Sequence, residues 1–496
     1  MTRSYGKTFV GDTQSAALAQ PFVMAPSPHR KGILLAKELW FGFPIYMDPY
    51  TAKTEQGAPS KRYVLSGQLD AGKTATMKAI ARRVANLQAF DDPEQEEPVE
   101  SRMLIHDRKM NEYYKYTEAM HGTIIEMGGA EKFNPFDYAL VKSVVHMVDI
   151  AVNLCEVVKK KPMEGFEPTV IAIGVYLMLN NSFRRPSIEH LEYVVMNMTV
   201  DQVTEYYQSN SLLDAIHKDP GIAPTMEQRM QPIANVYIGN MSWTELRFVA
   251  GKVAGYLGQV TRGVLGAVFG GEASMYDKLT SRCSTIMWRD TNLEAQDAAE
   301  AVFAKWRTIA RHDKSLIKMV PHQIISDETG KALARSAISL RFMSEDARDD
   351  RALHTATYVA TQYEGDITSA GGSDPNLHNM AQAINNATAG RIIFNQPDTE
   401  DNTAALKRYG FEDLDIERVA VLPQGCAAFK MPNQPPVFGR VLLTDTDKRT
   451  SYSNMESDKM VRGRQQAILN NEEIARRAKK MGVSTEAFMP LQPIQK

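Results

Sequence analysis

Gly67-Gln68-Leu69-Asp70-Ala71-Gly72-Lys73-Thr74 is an unbroken run of glycine, four residues, glycine, lysine and a hydroxyl residue. Residue types in this order build a phosphate cradle. The glycines let successive backbone N–H groups curl around phosphate oxygens, and the positive end of a following helix adds to the attraction. The Lys73 ammonium is expected to reach the β- and γ-phosphates of a nucleoside triphosphate, and the Thr74 hydroxyl to ligate Mg2+. Gln68, Leu69, Asp70, Ala71 and Ala75 complete the expected set of contacts. A carboxylate inside such a cradle repels phosphate, so the Asp70 side chain is expected to point outward. A plain glycine turn is the competing reading. The short apolar run 62–66 before the loop and the helical stretch 75–87 after it favour phosphate binding, which needs strand, loop and helix in that order.

Hydrolysis of a triphosphate also requires carboxylates, because water is a poor nucleophile at neutral pH. Gln323-Ile-Ile-Ser-Asp327-Glu328 has the form of a strand ending in two acids. Asp327 is expected to hold Mg2+, and Glu328 to orient and deprotonate the attacking water. A solvated acidic loop is the alternative. Gln362 closes the run 355–361, where a polar tip beside the acid-bearing strand is placed to sense the γ-phosphate; a lone surface glutamine is the plainer reading. Asp107 ends the run 102–106, at a strand tip where ligands gather, or caps a helix there. Arg391 opens another strand, as an arginine finger for a neighbouring subunit or as a surface arginine.

These residues need a framework. Runs at 62–66, 102–106, 123–126, 323–326, 355–360, 391–394 and 418–422 read as strands, and 427–430 and 437–443 as two more. Strands alternating with helical stretches give an α/β class with a mainly parallel sheet. Residues 138–311 carry helical periodicity, with Ser187, Thr199 and Ser242 as caps, and read as an all-α insertion. The core is then 61–137 with 312–457, after a lead-in with short strands at 1–60 and before a helical, mixed-charge tail at 458–496. Phe248 to Gly271 is long enough to span a bilayer, but Lys252, Gln259 and Arg262 interrupt it, so it reads as a helix of a soluble domain. At 43% hydrophobic, 23% charged and net charge −2, the chain is globular with no global basic field. Its three cysteines are widely spaced, which argues against a zinc site and fits a reducing cytoplasm; nothing points to haem.

The order of motifs resembles a known family. The phosphate loop is followed by the Asp107 strand, Phe133-Asn-Pro-Phe-Asp137, a helical stretch ending Gly263-Val-Leu-Gly266, then Asp327-Glu328, Ala360-Thr-Gln362 and Arg391-Ile-Ile-Phe. This is similar to the cytoplasmic ATPases of type IV secretion and bacterial conjugation, the TraC-like group related to conjugative coupling proteins. The resemblance implies a RecA-like core with ATP and Mg2+ bound at interfaces of a homo-hexamer. It also implies docking on channel proteins at the cytoplasmic face of the membrane, where hydrolysis energises pilus assembly or substrate transfer. A DNA translocase of the coupling or packaging type shares the same core, and a scaffold with a decayed nucleotide site is a third reading.

Overall fold

A computed structural model describes residues 32–50, 61–86, 101–109, 112–128, 132–137, 139–141, 143–181, 183, 185–207, 237–238, 241–263, 265–271, 273–289, 291–313, 316, 320–327, 355–364, 375–431 and 434–451. Five fully buried residues, Arg62–Ser66, form β3, after β1 (Ile33–Glu38) and β2 (Pro44–Met47). The further strands of the main sheet are β4 (Met103–Asp107), β5 (Thr123–Met127), β8 (Cys283–Trp288), β9 (Gln323–Ser326), β10 (Ala356–Thr361), β11 (Thr388–Ile393), β12 (Cys426–Lys430) and β13 (Val437–Val441). A small hairpin, β6 (Tyr237–Ile238) and β7 (Met241–Ser242), stands apart.

The sheet has 11 strands in the order β2-β1-β13-β12-β11-β3-β10-β9-β4-β8-β5. From β11 to β5 every neighbouring pair is parallel; from β11 to β2 every pair is antiparallel. Central strands β4, β8 and β10 are buried at every position, as expected where both faces of a parallel sheet are covered. Side chains alternate between two cores. Along β4, Leu104 joins one cluster while Met103 and Ile105 join the other, the strand period of two. On the second face lies α1 (Lys73–Ala85), with α2 (Tyr114–Ala119) beside it.

The first core continues into helices α3 (Val144–Lys159), α4 (Glu167–Asn180), α5 (Ile188–Asn197) and α6 (Trp243–Arg262). Their starts follow the cap chemistry read from the sequence. Ser187 accepts from the His190 amide, Ser242 and Glu245 form a reciprocal capping box, and Thr199 pairs with Gln202 in the same way. Along α6, Leu246, Ala250, Val253, Ala254 and Leu257 are buried at spacings of three and four, one stripe of an amphipathic helix. Arg262 at its end forms an ion pair with Glu192. Among the described residues no helix is long and apolar enough to cross a membrane.

Two expectations are corrected. The span 138–311 is not all helix: after α7 (Tyr276–Leu279) it contains β8, inserted between β4 and β5 in the main sheet, and α8 (Leu293–His312). Residues 418–422 are not a strand. α9 (Pro375–Asn386) and α10 (Glu400–Arg408) precede α11 (Asp413–Ala420), whose Glu412 and Asp415 form a capping box and whose buried Ile416 and Val419 sit three apart. The tail expected at 458–496 lies outside the described residues.

The Phe133-Asn-Pro-Phe-Asp137 segment ties the helices to the sheet. The Phe133 ring lies 4.7, 5.0 and 5.4 Å from the rings of Phe269, Phe303 and Trp306. Trp306 Nε1 donates to the Pro135 carbonyl, and Asp137 Oδ2 accepts from Ser274 Oγ and the Met275 amide. These buried polar groups are satisfied within the segment's own surroundings, which fixes one packing.

The last described element, α12 (Asp445–Ser451), lies on α1. Its Asp447 carboxylate, fully buried, receives Arg82 and Arg83 at 2.6 Å each. Burial alone raises a carboxyl; here hydrogen bonds from Arg83, the Thr444 amide and Arg82 outweigh it and hold Asp447 at about 2. The folded value is below the unfolded one of about 3.9, so this stability is intact above about pH 4 and fades as pH falls toward 2. Asp447→Asn should cost on the order of 3 kcal/mol at neutral pH. Denaturant midpoints of the two proteins should converge across that acid window.

Candidate nucleotide site

The carboxyl ends of β3, β10, β9 and β4 lie side by side, and the sequence-singled residues converge there. β3 leads into the 67–74 loop, where Gly67 and Gly72 adopt φ of 153° and 112°. A Cβ at Gly67 would meet Phe394 Cβ at 2.5 Å, so only glycine fits that turn. The loop is braced by Gly67 N donating to Gln362 O, Gln68 N to Asn395 O, and Gly425 N to Ala71 O. Asp70 takes a left-handed φ of 60° and is exposed. Leu69 and Gln68 are likewise exposed; Ala71 is buried, and Ala75 half-buried on α1.

Lys73 and Thr74 begin α1, whose first turn carries no acidic residue, leaving the positive helix end open to an anion. Lys73 Nζ donates to the carbonyls of Gly67 and Gln68 at 2.5 and 2.8 Å, which fixes the ammonium inside the loop. Thr74 Oγ1 donates to Asp327 Oδ2 at 2.8 Å, across 253 positions of sequence. Asp327 follows β9 and is 1% exposed. A hydroxyl and a carboxylate meeting at one point are oxygen donors of the type that Mg2+ takes, so this pair fits the metal.

Gln362 sits at the end of β10, between the loop strand and the acid strand, half-buried, with its carbonyl on the loop. Glu328 lies outside the described residues. Asp107 is fully buried and accepts from the amides of Lys109 and Tyr113 at 3.1 and 2.9 Å, capping the turn after β4. Burial pushes its carboxyl up against these hydrogen bonds.

Sequence reasoning overlooked two groups. One follows β4: Lys109 Nζ lies 3.7 Å from Asp327 Oδ2 and 3.6 Å from Glu112 Oε2, and Lys78 Nζ donates to the Glu112 carbonyl at 2.7 Å. The polar run directly after the Asp107 strand tip was the available signal. The other group begins at Ser66, whose hydroxyl accepts from Gln396 Nε2 at 2.6 Å; Gln396 Oε1 accepts from the Glu364 amide.

Glu364 leads to Arg391, and here the placement departs from expectation. Arg391 lies within β11, 4% exposed. Its guanidinium donates to Glu364 Oε2 at 2.7 Å and Asn385 Oδ1 at 3.1 Å, and stacks 3.6 Å from the Tyr409 ring centre. A finger must project from the surface; this fork is committed inside its own subunit. Arg391→Ala should therefore unfold more readily, by about 3 kcal/mol in a denaturant titration of dilute protein. An arginine serving only a neighbour would leave that titration unchanged.

No protein-family profile matches this chain, and no curated protein resembles it significantly in sequence. Its shape does have solved counterparts. VirB4 of Thermoanaerobacter pseudethanolicus superposes with a TM-score of 0.55 at 12% identity, covering 86% of this chain and 100% of that one. The bacterial conjugative coupling protein TrwB, in its unbound monoclinic form, gives 0.50 at 12% identity over 84% and 90%. Plasmid coupling protein TrwB in complex with a non-hydrolysable ATP analogue gives 0.50 at 11% identity over 85% and 96%. The parallel sheet with its phosphate loop, acid strand and helical cluster thus has the fold of VirB4 and TrwB.

Proposed function

We propose that this chain is an ATP-hydrolysing motor of a conjugation or type IV secretion apparatus, energising pilus assembly or substrate transfer. The observation that carries the reading is the Thr74 hydroxyl on the Asp327 carboxylate at 2.8 Å, at the mouth of a glycine loop that already cages Lys73. The fold shared with VirB4 and with TrwB, one structure of which holds an ATP analogue, supports it.

In this reading the loop amides and the α1 terminus bind and orient the triphosphate, and Lys73 leaves the Gly67 and Gln68 carbonyls for the β- and γ-phosphates. Thr74 and Asp327 hold Mg2+, which neutralises charge on the phosphates when bound. Glu328, next in sequence to Asp327, takes the proton from the attacking water. Gln362 reports hydrolysis across the loop, since its carbonyl already carries the Gly67 amide. Arg391, engaged internally, supplies no finger in this reading. Assembly is as a homo-hexamer in the cytoplasm, docked on channel proteins at the membrane face.

A DNA translocase is the alternative, favoured by the likeness to a coupling protein. Purified chain should hydrolyse ATP only with Mg2+, and Lys73→Ala and Glu328→Gln should each lower turnover by at least about 100-fold. Unimpaired hydrolysis in both variants refutes the motor. Stimulation by DNA that weakens steeply with salt moves the assignment to the translocase.

A further inference from the structure

Among the charges around the site, the half-buried Lys109 has no part in the reading above, yet it leans on an oxygen of the proposed metal ligand. Its Nζ lies 3.7 Å from Asp327 Oδ2, the same atom that accepts the Thr74 hydroxyl. Two cations cannot lean on one carboxylate oxygen without mutual repulsion, which is strong where water is scarce. A second acid stands within reach: Glu112 Oε2 is 3.6 Å from the same ammonium. Asp107 clamps the Lys109 and Tyr113 amides, Lys78 holds the Glu112 carbonyl and Thr74 holds the Asp327 carboxylate, so Lys109 stands between two carboxylates on a braced backbone.

We infer that Lys109 is a built-in competitor of the divalent cation, balancing Asp327 until the metal displaces its ammonium and leaves it to Glu112 alone. The inference rests on the nucleotide reading of the site. It makes metal entry an exchange on Asp327, Mg2+ for Lys109, while the Lys109–Glu112 pair at 3.6 Å is kept.

The test is Mg2+-dependent ADP binding, followed by calorimetry on the full chain at fixed ADP. Lys109→Gln should lower the Mg2+ concentration for half-maximal binding by about tenfold, the worth of one charge-assisted contact. Glu112→Gln, which removes the retained acid, should raise it by a similar factor, and Lys109→Arg should stay near the unmodified chain. Without Mg2+ or ADP, Lys109→Gln should melt about 2 °C lower, and adding Asp327→Asn should remove that deficit. An unchanged or raised Mg2+ requirement in Lys109→Gln, with the unmodified chain binding normally, overturns the competitor role and leaves the nucleotide site standing. Absence of Mg2+-dependent ADP binding in the unmodified chain overturns both.

Discussion

Parallel strands end together. With β3, β10, β9 and β4 paired in parallel register, Ser66 stands opposite Thr361, and Ser326 opposite both Val359 and His106. The residues just past those ends are thereby delivered to one edge of the sheet, whatever their separation along the chain. The Thr74–Asp327 contact is a product of that register. So is the bracing of Gly67 by Gln362, since β10 lies between the loop strand and the acid strand. A slip of one residue in β9 would turn Ile325 from its core and carry Asp327 away from α1. The hydrophobic pattern that fixes the register is therefore also what assembles the site.

The strand order marks this edge as a place for ligands. The chain runs outward from β3 to β4 and β5, returns through β8, β9 and β10, and then crosses β3 to reach β11. Connections diverge on either side of β3, the switch point beside which ligands of open α/β sheets sit. The loop is braced from this side by two strands: Phe394, just past β11, stands against Gly67, and Gly425, just before the antiparallel β12, donates its amide to Ala71 O.

Much of this was legible because local signals agree with the fold. The loop residues 67–74 announce themselves through glycine spacing and a lysine, and the caps at Ser187 and Ser242 through their side chains. The strand over 323–326 was readable despite its serine, because two acids follow it directly. β8 was missed because Cys283–Trp288 is buried on both faces and shows no alternation, and because helices flank it. The 418–422 stretch misled in the opposite direction: Val419 and Val421 suggest a strand, whereas the capping pair Glu412 and Asp415 upstream sets a helix. The pairings of Arg391, Glu112 and Lys109 were beyond the sequence, since a charged residue takes its meaning from partners that only the tertiary fold supplies. Arg391 had looked like an exposed hand; it is a rivet.

The ion pairs of Asp447 bind α12 to the far end of the helix that begins with Lys73. The two helices also share Lys78, whose ammonium meets the Ser451 carbonyl at 3.4 Å and the Glu112 carbonyl at 2.7 Å. α12 is thus a splint along the helix whose other end carries Lys73 and Thr74, so loosening one end of that rod slackens the footing of the glycine loop at the other.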